Sequence, residues 1–147
     1  MSRSRKLEPV IEMAQRASEE ALSKLGELNA VLQQHQLQLD DLLQYRADYL
    51  ARFRRDDPLV MSAKKALDLR SFLVKLDQAV SSQEGLVRQA SRQVETQRQH
   101  WLKARSKEQA LAALMNRYDS QERQKQLKKE QADTDEFTNN IWLRNRK

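Results

Sequence analysis

Two seams of residues, each stepping four and three along the chain without a break, constrain what this sequence can fold into. The first is Leu7, Ile11, Ala14, Ser18, Ala21, Leu25, Leu28, Leu32, His35, Leu39, Leu42, Arg46, Tyr49 and Phe53. The second is Leu69, Leu73, Leu76, Val80, Gln83, Val87, Ala90, Val94, Gln97, Trp101, Ala104, Glu108, Leu111, Met115 and Tyr118. A seam recurring about every 3.5 residues keeps one face of a helix turned toward a partner helix, the coiled-coil pattern. Between the seams stands Asp56-Asp57-Pro58. The residue before a proline is pushed out of helical geometry, so the chain breaks there.

The expected fold is all-α: a long antiparallel two-helix coiled-coil hairpin whose C-terminal helix extends beyond its partner. A parallel homodimer of continuous helices would bury the same seams, but the breaker at Pro58 argues against it. Folding about the breaker sets Phe53 opposite Leu69, so residues i and 122 − i face each other. His35 then lies opposite Val87, His100 near Leu22, Tyr45 near Leu76 and Tyr49 near Phe72. Each arm would run about 70 Å at 1.5 Å per residue. The expectation is one domain over 1–147, with helix 1 at about 5–54, a turn at about 55–62 and helix 2 at about 63–136. A frayed tail occupies 137–147. Ser4 is a candidate N-cap, with Pro9 in the first turn, and Ser62 can cap the second helix. In this register nothing faces the chain beyond about Tyr118. Phe137, Ile141 and Trp142 in that stretch read as a docking segment or as a disordered end.

Composition agrees. The 147 residues include two glycines and two prolines, 33% charged residues and 5% aromatics. High charge with few aromatics also fits disorder, but the unbroken periodicity decides for helix. There is no cysteine, hence no disulfide framework. No apolar run approaches the roughly 20 residues that span a bilayer. The basic N-terminal stretch lacks the apolar core of a secretory signal, and a cytoplasmic protein is expected. The net charge of +6 suits nucleic acid, an anionic membrane or an acidic protein.

Catalysis is not expected. The two histidines fall several turns apart in the hairpin register, whereas a metal needs converging ligands. Gly26 and Gly85 are isolated, so no glycine-rich loop cradles a phosphate. They mark either a local bend, a close helix contact or merely tolerated positions. The seam residues His35, Gln83 and Gln97 either set register or reach water. No cofactor is implied.

Two surfaces stand out. Gln38, Leu42, Tyr45 and Tyr49 form a row on the first helix, and Phe72, Leu76, Ala79 and Gln83 form one on the second. In the hairpin register both rows border one face. An exposed apolar patch with tyrosines fits a protein-binding site; thicker self-packing or a larger coiled-coil assembly would use the same residues. The second surface is basic. From Arg88 to Lys107 the cations are Arg88, Arg92, Arg98, Lys103, Arg105 and Lys107, with Glu95 the one acid. Such a helix can meet nucleic-acid phosphates, an acidic protein or simply water, although Trp101 falls on the seam rather than on an open face.

Four segments in order, LLQYRADY at 42–49, SFLVKLDQAV at 71–80, RQHWLKARSKEQAL at 98–111 and TDEF at 134–137, resemble the FliJ family of the bacterial flagellar type III export apparatus. The resemblance covers essentially the whole chain. It implies a non-enzymatic stalk, similar in shape to the central coiled coil of rotary ATPases. The implied partners are the flagellar export ATPase hexamer, the cytoplasmic domain of the large export-gate membrane protein, and export chaperones, with no specific nucleic acid. The implied location is the cytoplasmic face of the inner membrane at the flagellar base. By the resemblance, gate binding falls on Gln38, Leu42, Tyr45, Tyr49, Phe72, Leu76, Ala79 and Gln83, the last departing from the histidine of the family pattern. An ATPase-ring or acidic-partner surface falls on Arg98, Trp101, Lys103, Arg105, Lys107, Arg117 and Arg123. The alternatives are the equivalent stalk of a virulence secretion system, a basic coiled coil that binds nucleic acid, and a holding chaperone for export substrates.

Overall fold

The computed structural model describes residues 2–55 and 62–146. They form two helices, α1 (Arg3–Arg55) and α2 (Ala63–Asn145), of 53 and 83 residues. Both are rich in Ala, Leu, Gln, Glu, Lys and Arg, the residues that lose least on entering a helix. The breaker Asp56-Asp57-Pro58 lies outside the described residues. The fold is a two-helix hairpin, all-α as the seams predict.

The helix starts follow cap chemistry. Ser62 caps α2 as expected: its Oγ accepts the Lys65 N–H at 3.2 Å, and its carbonyl accepts the Ala66 N–H at 3.0 Å. On α1 the cap is Ser2 rather than Ser4. Ser2 Oγ accepts the Arg5 N–H at 3.3 Å, the bond an N-cap makes to the third helical residue. The helix therefore begins earlier than expected, and Pro9 sits inside it rather than in its first turn. At the other end, α2 continues to Asn145, through the stretch expected to fray from residue 137.

The chain divides into two compact units. One comprises Met1–Glu19 with Leu102–Lys147, the other Glu20–Trp101. The sequence reading treats 1–147 as a single coiled coil; α1 and α2 each contribute to both units.

In the Glu20–Trp101 unit the helices run antiparallel. The paired residue numbers total between 117, for Tyr45 with Phe72, and 123, for Arg46 with Asp77, against the expected 122. In the other unit Arg3 meets Tyr118 and Ser4 meets Glu122. Every seam member is buried or half-buried, while most flanking positions are exposed. The most buried are small or aliphatic: Ala14, Ala21, Leu25, Leu76, Val80 and Ala90, joined by Ser18 and Gln83. Burying a Leu or Val side chain contributes about 2 kcal/mol. No described side chain falls below 2% exposure, so the apolar contact is a stripe rather than an enclosed core.

The polar seam members make bonds across the stripe. Gln83 Nε2 donates to the His35 carbonyl at 2.9 Å and lies 3.3 Å from both Gln38 Oε1 and His35 Nδ1. His35 thus meets Gln83, one turn from the Val87 expected opposite it. Gln97 Nε2 donates to the Ala21 carbonyl at 3.0 Å. Each amide reaches a backbone oxygen of α1. Gly26 and Gly85 serve no close helix contact: a Cβ at Gly26 would meet nothing within 4 Å, and one at Gly85 only the Arg88 side chain at 3.9 Å.

Candidate protein-binding face

The face predicted near the breaker lies wholly in the Glu20–Trp101 unit. Tyr45 and Tyr49, four residues apart on α1, both reach Phe72 of α2. The Tyr49 and Phe72 rings are 4.6 Å apart between centroids and tilted by 51°; Tyr45 meets Phe72 edge-on at 6.0 Å and 80°. Tyr45, expected near Leu76, therefore packs one turn away. Tyr45 is 51% exposed, so Phe72 braces it without covering it. Aromatic pairs of this geometry are worth about 1 kcal/mol beyond the area they bury.

Beside Tyr45 runs a shallow groove of about 380 Å³, lined by Gln38, Asp41, Leu42, Tyr45 and Gln83. Four of these five belong to the predicted set. Asp41 does not: a row read for apolar and aromatic spacing passes over an aspartate. Leu42, Tyr49, Phe72 and Ala79 are half-buried and Gln38 is exposed. Leu76 is only 6% exposed, so it supports the face from behind. Gln83, at 9%, does the same while its amide holds Gln38. Behind the aromatic cluster, Arg46 Nε donates to Asp77 Oδ1 at 2.6 Å between the helices. Both side chains remain substantially exposed, and such pairs add at most about 1 kcal/mol.

The predicted basic set is divided between the two units. Arg98 and Trp101 belong to the Glu20–Trp101 unit, whereas Lys103, Arg105, Lys107, Arg117 and Arg123 belong to the other. Trp101 is half-buried on the seam and the six cations are exposed. Arg98 is engaged within its own helix: its Nη2 and Nε donate to the two Glu95 carboxylate oxygens at 3.0 and 3.1 Å. The Arg98 hydrogen bond, followed by that of Gln99, holds the Glu95 carboxyl below the usual carboxylate range. Arg123 Nε donates to the Asp119 carbonyl at 3.4 Å. In heptad terms, Lys103 and Arg117 lie fourteen residues apart on one outer stripe.

The unit containing the chain's first residues has its own polar anchor. Ser4 Oγ donates to Glu122 Oε2 at 2.9 Å, and the Ser4 backbone N–H points to Glu122 Oε1 at 3.4 Å. A carboxylate of α2 thus sits at the electropositive start of α1. The Arg3 guanidinium lies 5.7 Å from the centre of the Tyr118 ring. From Arg123 to Asn145 every residue of α2 is exposed. Phe137, Ile141 and Trp142 are among them, and Arg146 lies 4.8 Å from the Trp142 ring centre. Among the described residues, no helix is long and apolar enough to cross a membrane.

Comparison with known proteins adds one finding. A family model described as the flagellar FliJ protein matches residues 3–147. No curated protein matches the chain, and no solved structure does.

Proposed function

The chain belongs to the flagellar FliJ family, and from that premise we propose that it is a non-enzymatic coupling component of the flagellar protein export apparatus. The face formed by Gln38, Leu42, Tyr45, Tyr49, Phe72 and Ala79, backed by Leu76 and Gln83, binds the cytoplasmic domain of the export gate. The unit comprising Met1–Glu19 with Leu102–Lys147 engages the export ATPase ring through α2, with Lys103, Arg105, Lys107, Arg117 and Arg123 as its cationic contacts. Arg98 and Trp101 belong to the neighbouring stretch of the same helix. Export chaperones are a third class of partner. The protein works in the cytoplasm, at the membrane face of the flagellar base.

One observation carries this reading: a half-exposed tyrosine, held from one side by Phe72, stands at the edge of a groove between the two helices. Aromatic side chains held ready in this way are the common anchors of protein interfaces, because little conformational freedom is lost when a partner covers them. A coiled coil suits a coupling role, since a helix pair can present separate surfaces along its length with few buried contacts.

The test is capture by two tagged baits, the export ATPase and the cytoplasmic domain of the gate, scored separately. Both should retain the wild-type chain. Tyr45→Ala should lose the gate and keep the ATPase. Retention by neither bait would refute the assignment.

A further inference from the structure

The groove beside Tyr45 has a chemistry that the aromatic cluster alone does not explain. Asp41 is the one charged group among the described residues that line it. Among the described residues Asp41 has no ion pair: Arg46, the nearest cation along α1, is taken by Asp77. Gln83 occupies the Gln38 side-chain oxygen at 3.3 Å, which leaves the Gln38 amide hydrogens as donors and Asp41 as the strong acceptor of the groove. Residues 38–49 carry Asp40, Asp41 and Asp48 against Arg46 alone, a negative stretch in a chain of net charge +6.

We propose that this groove receives an arginine side chain from the docking segment of its protein partner, with Asp41 as the carboxylate it pairs with and Tyr45 as the ring it lies against. The inference rests on the reading that this face binds the gate, and specifies the chemistry of that contact. An apolar anchor would fit the Leu42 floor but would strip water from Asp41 without replacing it, a costly exchange for a carboxylate. A guanidinium removes that cost. It pairs with a carboxylate through two parallel N–H bonds, and its flat face lies well against an aromatic ring. Lysine matches the charge but offers neither the paired bonds nor the planar stacking. The Gln38 amide is then free to donate to a backbone carbonyl of the same partner segment.

The experiment is calorimetric titration of the full-length chain with the cytoplasmic domain of the gate, at about 0.05 and 0.5 M salt. The variants are Asp41→Asn, Asp41→Lys and Tyr45→Ala, each checked for helicity by circular dichroism. Asp41→Asn should weaken binding about tenfold at low salt and flatten the salt dependence. Asp41→Lys should weaken it further, and one arginine-to-aspartate change on the gate domain should restore binding to that variant alone. Wild-type affinity and salt response in Asp41→Asn, with binding lost in Tyr45→Ala, would overturn the arginine contact and leave an apolar docking site. Failure of every arginine reversal to rescue Asp41→Lys would also overturn it. Wild-type affinity in Tyr45→Ala as well would remove the gate-binding reading itself.

Discussion

The side-chain amide of Gln83 on α2 donates to the backbone carbonyl of His35 on α1 at 2.9 Å. Backbone oxygens recur at every turn of α1; what marks this turn is that the same amide lies 3.3 Å from the His35 Nδ1 and Gln38 Oε1 side-chain atoms. Gln97 repeats the device at Ala21. Polar groups at coiled-coil seams can favour one stagger over a slip by a heptad, and these two buried or half-buried amides are the seam groups here that would do so.

Truncating these amides should therefore lower stability. Gln83→Ala and Gln97→Ala are each expected to cost about 1–2 kcal/mol, from the lost bond and, at Gln83, the loosened Gln38. Gln83→Leu should recover part of that loss through apolar burial while leaving the groove wall less ordered. Urea unfolding followed by circular dichroism at 222 nm checks all three, and unchanged midpoints would show that the amides do not set register.

Tyr45 and Phe72 should separate binding from folding. Phe72 is half-buried beneath two tyrosines, so Phe72→Ala is expected to cost about 2 kcal/mol of stability as well as weaken the gate interaction. Tyr45 is half exposed, and Tyr45→Ala should cost under about 1 kcal/mol while weakening the gate interaction by about 2 kcal/mol, as hot-spot truncations do. Thermal melts paired with calorimetry read both quantities.

The glycines offer a gain. With open space at Gly26, only an ordinary contact with the Arg88 side-chain tip at Gly85, and no positive φ among the described residues, Gly26→Ala and Gly85→Ala should each stabilise the hairpin by about 1 kcal/mol. A destabilised variant would reveal a need for flexibility at that turn of the helix.

At the start of α1 the expectation concerns a carboxylate supplied by the other helix. Glu122→Gln should cost about 1 kcal/mol through weaker bonding to Ser4 and loss of negative charge at a helix N-terminus. Ser4→Ala should cost a similar amount, since it leaves a buried position without its hydroxyl bond. Amide hydrogen exchange of residues 4–10 should accelerate in both variants. Protection equal to wild type would exclude Glu122 as an anchor.

Glu95 carries a pH expectation. Its folded-state pKa is depressed, first by the Arg98 hydrogen bond and then by Gln99. The contribution of this pair to the helix is therefore present above the ordinary carboxylate range and is lost as pH falls through the lowered value. A carboxyl NMR titration should show the Glu95 midpoint moving upward in Arg98→Ala. Because Arg98 is already held by Glu95, Arg98→Ala should reduce ATPase capture less than Lys103→Ala or Arg117→Ala.

The seams, the Ser62 cap and the antiparallel pairing of the helices were legible in the residues alone, because a step of four and three admits one buried face on each helix. The candidate face was legible in part. Tyr45, Tyr49 and Phe72 announce themselves by type and spacing, while Asp41 joins them only once side chains turn toward a shared groove. Local pattern also misplaced the first cap, since Ser2 and Ser4 are chemically equivalent as N-caps and Ser4 is instead bonded to Glu122 on the opposite helix. The separation of Leu76 and Gln83, which lie beneath the face, from Tyr45, which stands on it, followed the same rule. The residues set which side of each helix turns inward; how far each side chain is covered depends on the stagger and reach of the opposite helix, and a one-turn offset such as that of His35 to Gln83 is settled only when the two helices meet.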